Sequence, residues 1–554
     1  MKGEQSMKKG FIAIVLVACL FTSCADSFLA REYAGGSISQ SQYDKLGSEK
    51  LESSLNGLYS MIYTMNSDDH DEFGQRSIDL WGDILCADIA VTNKTYGWLY
   101  QDEQMLTYNR TGTIWGFYYK MLRNANIVIR NINTASGDIM AKVAKNGYPS
   151  TAAKGTYSLE DTNYALWLAQ ALAMRGYCYA NLARWYTPVL ESEYMEGFTV
   201  MTYPCCPVYT EANIEVPQRI AYSNEVYTQV FKDLENSVKL FEEFAVRYKE
   251  LENSEYERDS KLKINVDVAR GLLAYAYLNA APYYAASGKD KEYYQKAHDH
   301  ADAVIKNGKF QIIKNDNLYS TGFNNVEDPS WMWGQKVVTE TSGGLKSWFG
   351  QVDIHSYSYA WAGDTKVIDA NLKAEIEKLE WDGRIGWFND GSVYSKFKDC
   401  PDGKFFSAAS PTSTEDDDID REWLSDNVFM RFESMFLIAA EASYFLNKPD
   451  DAKSYLKSIL DERLNPKYPD SKADYNTYIT GLAGEDILKA ITYNWRVEMW
   501  GEGYGLQTFR RLTKETKRGS NHDSRPGTPI KASEPYFNIN IPSSEATYNP
   551  EIDN

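Results

Sequence analysis

The 554-residue chain is poor in histidine, poor in cysteine and short of positive charge, and each shortage removes a class of function. Its five histidines, His70, His298, His300, His355 and His522, offer no chelating pattern. His298 and His300 lie two apart on a predicted helix, so they point to different faces rather than at one metal. There is no H-E-x-x-H, G-x-S-x-G, P-loop or Rossmann fingerprint. Seven cysteines, two of them in the first 24 residues, are too few and too scattered for a disulfide-dense scaffold, and the adjacent Cys205-Cys206 pair carries no role. Lys+Arg number 58 against 77 Asp+Glu, a net charge of −19. A surface this acidic lacks the basic footprint that nucleic acid or anionic lipid requires. Beyond the N-terminus no stretch is long and apolar enough to cross a bilayer, and the mean hydropathy is −0.49.

The N-terminus is the exception. Met1-Lys2 and Met7-Lys8-Lys9 give a positive start, and Phe11 to Phe21 is almost wholly apolar. That run is too short for a membrane span, which needs about 20 residues, and fits the core of a secretory signal. Phe21-Thr22-Ser23-Cys24 resembles a bacterial lipoprotein cleavage site, with Cys24 acylated. Leu16-Val17-Ala18-Cys19 matches the lipoprotein pattern better on its own, but a cut there leaves only Phe11 to Ala18 as the apolar core, so core length favours Cys24. An ordinary signal peptide with a chance cysteine still exports the chain. Acyl chains would then hold a soluble body.

What the chain has in quantity is aromatic residues, 14% of the total, set in helical stripes. Tyr164, Trp167, Leu168, Ala171, Met174, Tyr177, Cys178, Asn181, Leu182 and Trp185 follow i, i+3, i+4, i+7 spacing, and Pro188 ends that helix. A second stripe runs from Tyr227 to Phe241, with Ser223 as its N-cap. Val266 to Tyr284, Tyr293 to Lys306, Phe432 to Leu446, Asp450 to Glu462 and Glu485 to Trp500 supply further helices; Ser48 to Tyr63 and Thr113 to Ile132 add two early ones. The pairs resemble degenerate tetratricopeptide units, which must stack on neighbours to bury their faces. The expected fold is therefore all-α dominated, with tetratricopeptide-like helical pairs and a large irregular, loop-rich insertion. Residues 1–23 form the signal and 24–554 one body, with the helical scaffold over about 40–310 and 425–515 and the insertion over about 311–424. Within the insertion only Asp369 to Leu379 reads as helix; Glu191 to Arg219, with three prolines, is a second irregular stretch.

Arg431-Phe432-Glu433-Ser434-Met435-Phe436-Leu437-Ile438-Ala439-Ala440-Glu441-Ala442 resembles the R-x-x-E-x-x-L-x-x-A-E-A helix of the SusD/RagB family. Ala452 to Arg463 is similar to its partner helix, and Arg496-Val497-Glu498-Met499-Trp500-Gly501-Glu502-Gly503 to its glutamate-rich helix end. Ile541-Pro542-Ser543-Ser544-Glu545 with Asn549-Pro550-Glu551-Ile552 is similar to its closing motif, and Cys24-Ala25-Asp26-Ser27-Phe28-Leu29 to its lipidated beginning. Arg175-Gly176-Tyr177-Cys178-Tyr179 resembles its R-A-x-x-Y helix, with glycine for alanine. Ser434 stands where the family often has glutamate, and Asn494, Gly505 and Thr508 where many members are charged, which puts a local ion-pair network in question. Arg431 and Glu441 are read as structural, satisfying neighbours rather than ligand. The resemblance implies a helical, non-enzymatic, outer-membrane lipoprotein without a cofactor. It would bind a nutrient, commonly a glycan, and act as a lid over a SusC-type TonB-dependent transporter, facing the cell exterior.

A pyranose stacks its apolar face on Trp or Tyr and gives its hydroxyls to planar polar groups. Three clusters offer such faces: Tyr96, Trp98 and Tyr100; Trp331 and Trp333; and Tyr357, Tyr359 and Trp361, whose alternation would put all three on one face of a strand. The alternative for each is packing against the helical scaffold, since buried Trp and Tyr are far commoner than exposed platforms. Asp83 reads as structural, and Glu415-Asp416-Asp417-Asp418 as a solvated loop, since it lacks the alternating spacing of calcium loops. A surface glycosidase using two of the many carboxylates, a purely structural lid and a peptide-binding partner of the transporter are the rival readings.

Overall fold

Seventeen α-helices and eight short strands build the described part of the chain. In the computed structural model that part comprises residues 49–64, 70–93, 110–189, 200–212, 216–248, 260–315, 322–355, 357–388, 394–397, 423–534, 537 and 539–551. The chain divides into two units, Met1–Ser54 and Leu55–Asn554. Of the first only the opening of the Glu49–Ser60 helix is described; all that follows belongs to the second. The signal, the lipidation candidate Cys24 and the acidic run 415–418 lie outside the described residues.

The longest helix, Leu159–Tyr186, has 28 residues and so spans about 42 Å. Ser158 starts it with a reciprocal capping box: its hydroxyl accepts from the Asp161 amide while the Asp161 carboxylate accepts from the Ser158 amide, both at 3.0 Å. Almost every side chain from Thr162 to Tyr186 is buried, because Arg110–Ser136 and Ser223–Tyr248 both pack against it. Arg175 ties the three together. Its guanidinium donates to Asp233 at 2.7 and 2.8 Å and to the Asn126 carbonyl at 3.0 Å. The glycine beside it has a reason: a Cβ on Gly176 would sit 2.8 Å from the Leu234 side chain, so the two helices close only without it.

The succession continues pairwise. Val266–Ala280, capped by Asn265, packs on Asp290–Lys306, which packs on Glu433–Phe445, which in turn meets both Pro449–Leu460 and Glu485–Glu498. The expected helices are therefore all present, with ends shifted by a few residues. Four two-stranded antiparallel ladders stitch the irregular segments to this stack. Two bear on the site. Ile89–Val91 pairs with Lys366–Ile368, and Trp331–Gln335 pairs with Asn427–Arg431 across two register shifts.

Candidate functional site

The motif residues are turned inward. Arg384, Arg431, Arg463 and Lys396 face Asp382, Glu433, Glu498 and Glu502, and nearly all eight side chains are fully out of solvent. Glu498 sits at the centre. Its two oxygens accept from Arg463 at 2.8 and 2.9 Å, from Arg384 at 3.2 Å and from Arg431 at 3.3 Å. Burial alone would raise this carboxyl, but Arg463, then Arg431 and Arg384, hold it well below the usual carboxylate range. Lys396 donates to the Glu498 and Trp500 carbonyls and to Glu502, and burial pulls its ammonium down to about 8. Glu441 accepts from Arg511 at 2.6 and 2.9 Å and from the Trp495 indole at 2.8 Å. Arg431 and Glu441 are thus structural, as expected.

The question over an ion-pair network is answered against the sequence reading: the network exists, built by other residues. Ser434 donates to the Arg431 carbonyl, Asn494 to Ala490 and Thr508 to Tyr504, while the Gly505 amide donates to Asp83. These four serve backbone geometry, and two of the network's four cations, Arg384 and Lys396, come from the irregular stretch. Asp83 is structural too. It accepts from the Gly503 and Gly505 amides at 3.1 and 2.9 Å, and burial, reinforced by Asp88, pushes its carboxyl up to about 8.

The three aromatic clusters meet different fates. Tyr96, Trp98 and Tyr100 lie outside the described residues. Trp331 and Trp333 do not present two exposed indoles on one face; both are buried. The register shifts at Trp331/Trp333 and Trp333/Gly334 break the simple alternation. Trp331 donates its indole N–H to the Gly322 carbonyl at 2.8 Å, and Trp333 packs edge-on against Tyr177 and beside Phe429. Tyr357, Tyr359 and Trp361 form no strand but a turn. Tyr359 leans inward and stacks on His70 at 4.1 Å. Tyr357 and Trp361 stay in solvent, 39% and 57% exposed, with ring centroids 5.7 Å apart and planes at 55°.

This turn is held rigidly. Asp353 accepts from the His355 amide at 2.7 Å and from the Trp423 indole at 2.8 Å. Ser358 donates to the Asp353 carbonyl and accepts from the Trp361 amide, and the Tyr359 amide donates to Gly350 at 3.0 Å. Behind it Lys366 is fully buried, paired with Asp364 at 2.7 Å and donating to the Gln351 carbonyl at 3.0 Å. Gln351 donates in turn to the His70 carbonyl at 2.9 Å. The two exposed rings therefore stand on a base tied together by the Asp353, Ser358, Gln351 and Lys366 hydrogen bonds. The turn runs directly into the Lys366–Ile368 strand, whose partner Ile89–Val91 precedes the Tyr96–Tyr100 cluster in sequence.

One concave feature escaped the sequence reading. Tyr63, Leu262, Gln335, Lys336 and Phe429 gather around an edge of Trp333 to line a cleft of about 190 Å³. These residues come from segments far apart in the chain. The one local sign was Lys261-Leu262-Lys263, an apolar residue between two cations in an acidic protein.

Residues 387–551 match the model of the SusD family. A SusD-like protein of Bacteroides ovatus is 22% identical over 359 residues, 62% of this chain, and the match spans about half, 55%, of that relative's length. Among solved structures, a SusD-like carbohydrate binding protein from Bacteroides vulgatus superposes with a TM-score of 0.64 at 21% identity, covering 91% of this chain and 97% of that one. A SusD superfamily protein from Bacteroides thetaiotaomicron gives 0.64 at 19% identity, covering 92% and 99%. At such identities the structures establish the helical fold.

Proposed function

We propose that the chain is a SusD-like protein that binds glycan, with Tyr357 and Trp361 as stacking platforms. The observation that carries this reading is the pair itself: two large aromatic rings left in solvent on a turn held by the Ser358 hydroxyl and backed by the buried Lys366–Asp364 pair. An exposed indole beside a tyrosine ring offers a flat apolar face to a pyranose, and rigidity lowers the ordering cost of binding. The carbohydrate-binding protein among the solved neighbours supports the same ligand class. No bond is broken in this reading; capture is reversible. Tyr96, Trp98 and Tyr100 are further candidate ligand contacts, an assignment that rests on the sequence alone. Oligosaccharide held there passes to a SusC-type TonB-dependent barrel in the outer membrane, to which Cys24 anchors the protein by its acyl chains, facing outward. The secretory signal supports export, and no described helix is long and apolar enough to cross a membrane.

Affinity electrophoresis through gels carrying plant, host and microbial glycans tests the reading. At least one glycan should retard the protein, and Trp361→Ala or Tyr357→Ala should abolish the retardation while thermal unfolding stays unchanged. Retardation that survives both substitutions would move the site elsewhere. Cleaved product after long incubation would replace capture by hydrolysis.

A further inference from the structure

We propose that the cleft beside Trp333 is a subsite for a sugar ring that carries a carboxylate, a uronic acid. The inference rests on the glycan-binding reading and adds a ligand class and a second place of contact. The volume of about 190 Å³ lies below the ~300–1,000 Å³ of sites that engulf a drug-sized molecule, so the cleft suits one ring rather than a chain. Its walls are apolar. Phe429, the edge of Trp333, Tyr63 and Leu262 line it, and Leu262 is 41% exposed, a branched apolar side chain left at the rim.

Two polar groups converge on these walls. Gln335 is buried, and the Asn427 amide donates to its carbonyl oxygen at 3.1 Å. That bond fixes the orientation of the side-chain amide, whose N–H₂ has no protein acceptor among the described residues and serves as a donor for a sugar oxygen. Lys336 lines the same cleft, is exposed, and makes no ion pair among the described residues. The carboxylate that feels its charge, Asp426, is already engaged: its two oxygens accept from the Val326 and Val337 amides at 2.9 and 2.8 Å. Lys263 adds a second cation to the lining.

The combination discriminates among ligands. A neutral sugar would use the apolar walls and the glutamine but leave the lysine idle. A bare inorganic anion would use the lysine but has nothing to stack on Phe429 or Leu262. A pyranose carrying a carboxylate uses all three, and in a chain of net charge −19 such a local cationic rim is what admits an acidic ligand at all.

The test is calorimetric titration of the full chain with oligosaccharides containing galacturonate or glucuronate, each beside its carboxyl-reduced counterpart. The acidic member of at least one pair should bind about tenfold more tightly, the equivalent of about 1.4 kcal/mol. That margin should shrink with added salt, because the lysine is solvent-facing. Lys336→Gln should erase the margin and leave the neutral member's affinity as it was. Leu262→Ser should weaken both members. Equal binding within every pair, or a preference that survives Lys336→Gln, would overturn the subsite while the glycan reading stands. If no member of any pair binds, the subsite falls, while the glycan reading stands or falls on the electrophoresis panel.

Discussion

Replacing Glu498 by glutamine is the sharpest test of what holds the scaffold together. The substitution preserves shape and removes one negative charge from a site where three guanidiniums converge within 3.3 Å. One oxygen can still accept, but the new amide N–H₂ faces arginine donors, and four cations are left with three carboxylates in a region without solvent. Breaking a buried pair in this way costs about 3–5 kcal/mol, a large part of a total stability of about 5–15 kcal/mol. With an unfolding entropy of about 2.1 cal/mol/K per residue, some 500 folded residues convert that loss to a midpoint about 3–5 °C lower. Calorimetry and urea unfolding at neutral pH measure it. The loss should persist in about 1 M salt, because screening acts on exposed charges rather than on a site closed to water. The sign with pH follows from the carboxyl's position. Its folded value lies well below the unfolded 4.5, so its contribution is present above about 4.5 and is lost as pH falls through the folded value. Wild type and variant should therefore converge in acid. A difference below about 1 kcal/mol at neutral pH would refute the reasoning, since it would mean the cluster is hydrated or the charge is dispensable.

Asp83 behaves in the opposite sense: its folded value is about 8 and its unfolded value 3.8, so the folded chain keeps a proton that the unfolded chain has released. Its share of stability is present below about 3.8 and falls as pH rises towards 8, by up to about 1.4 kcal/mol per pH unit. Asp83→Asn should flatten the fall between pH 5 and 8 in thermal melts, and an unchanged slope would refute the assignment. Trp331→Ala should cost about 3–5 kcal/mol in urea unfolding, because it empties a fully buried indole site and orphans the Gly322 carbonyl. Trp361→Ala should stay within about 0.5 kcal/mol of wild type in the same assay. Equal losses for the two would mean that burial does not separate their roles.

The helical scaffold was legible because its signals are local and repeat. The stripe from Tyr164 to Trp185 and the Pro188 stop both act within one or two turns of the chain. The ionic cluster was not, because pairing carries no period. Asp382 and Arg384 meet Glu498 and Tyr493 from more than a hundred residues away, and Arg384 and Lys396 sit in a stretch that reads only as irregular. The shared strand face expected of Tyr357, Tyr359 and Trp361 is absent for a different reason. Alternation suggests a strand, but Asp353, Ser358 and Gly363 are turn formers whose side chains and amides compete for the same backbone. Turn chemistry won, and it turned Tyr359 inward while leaving Tyr357 and Trp361 out. At Trp331 and Trp333 the strand was real, but its register shifts undid the alternation on which the shared face depended.

The same contrast explains why a resemblance can identify a scaffold and say little about ligand. Arg175, Arg431, Glu441 and Glu498 carry the likeness, and each is consumed by a partner inside the protein. Such residues are constrained by geometry that any cargo would leave unchanged. Trp361 and Leu262 have solvent before them, so their identity is free to follow the ligand. Lys336 likewise stands at the surface with no ion pair among the described residues. Specificity should accordingly respond to substitutions at these surface positions while the fold does not. The reverse should hold for the buried charges.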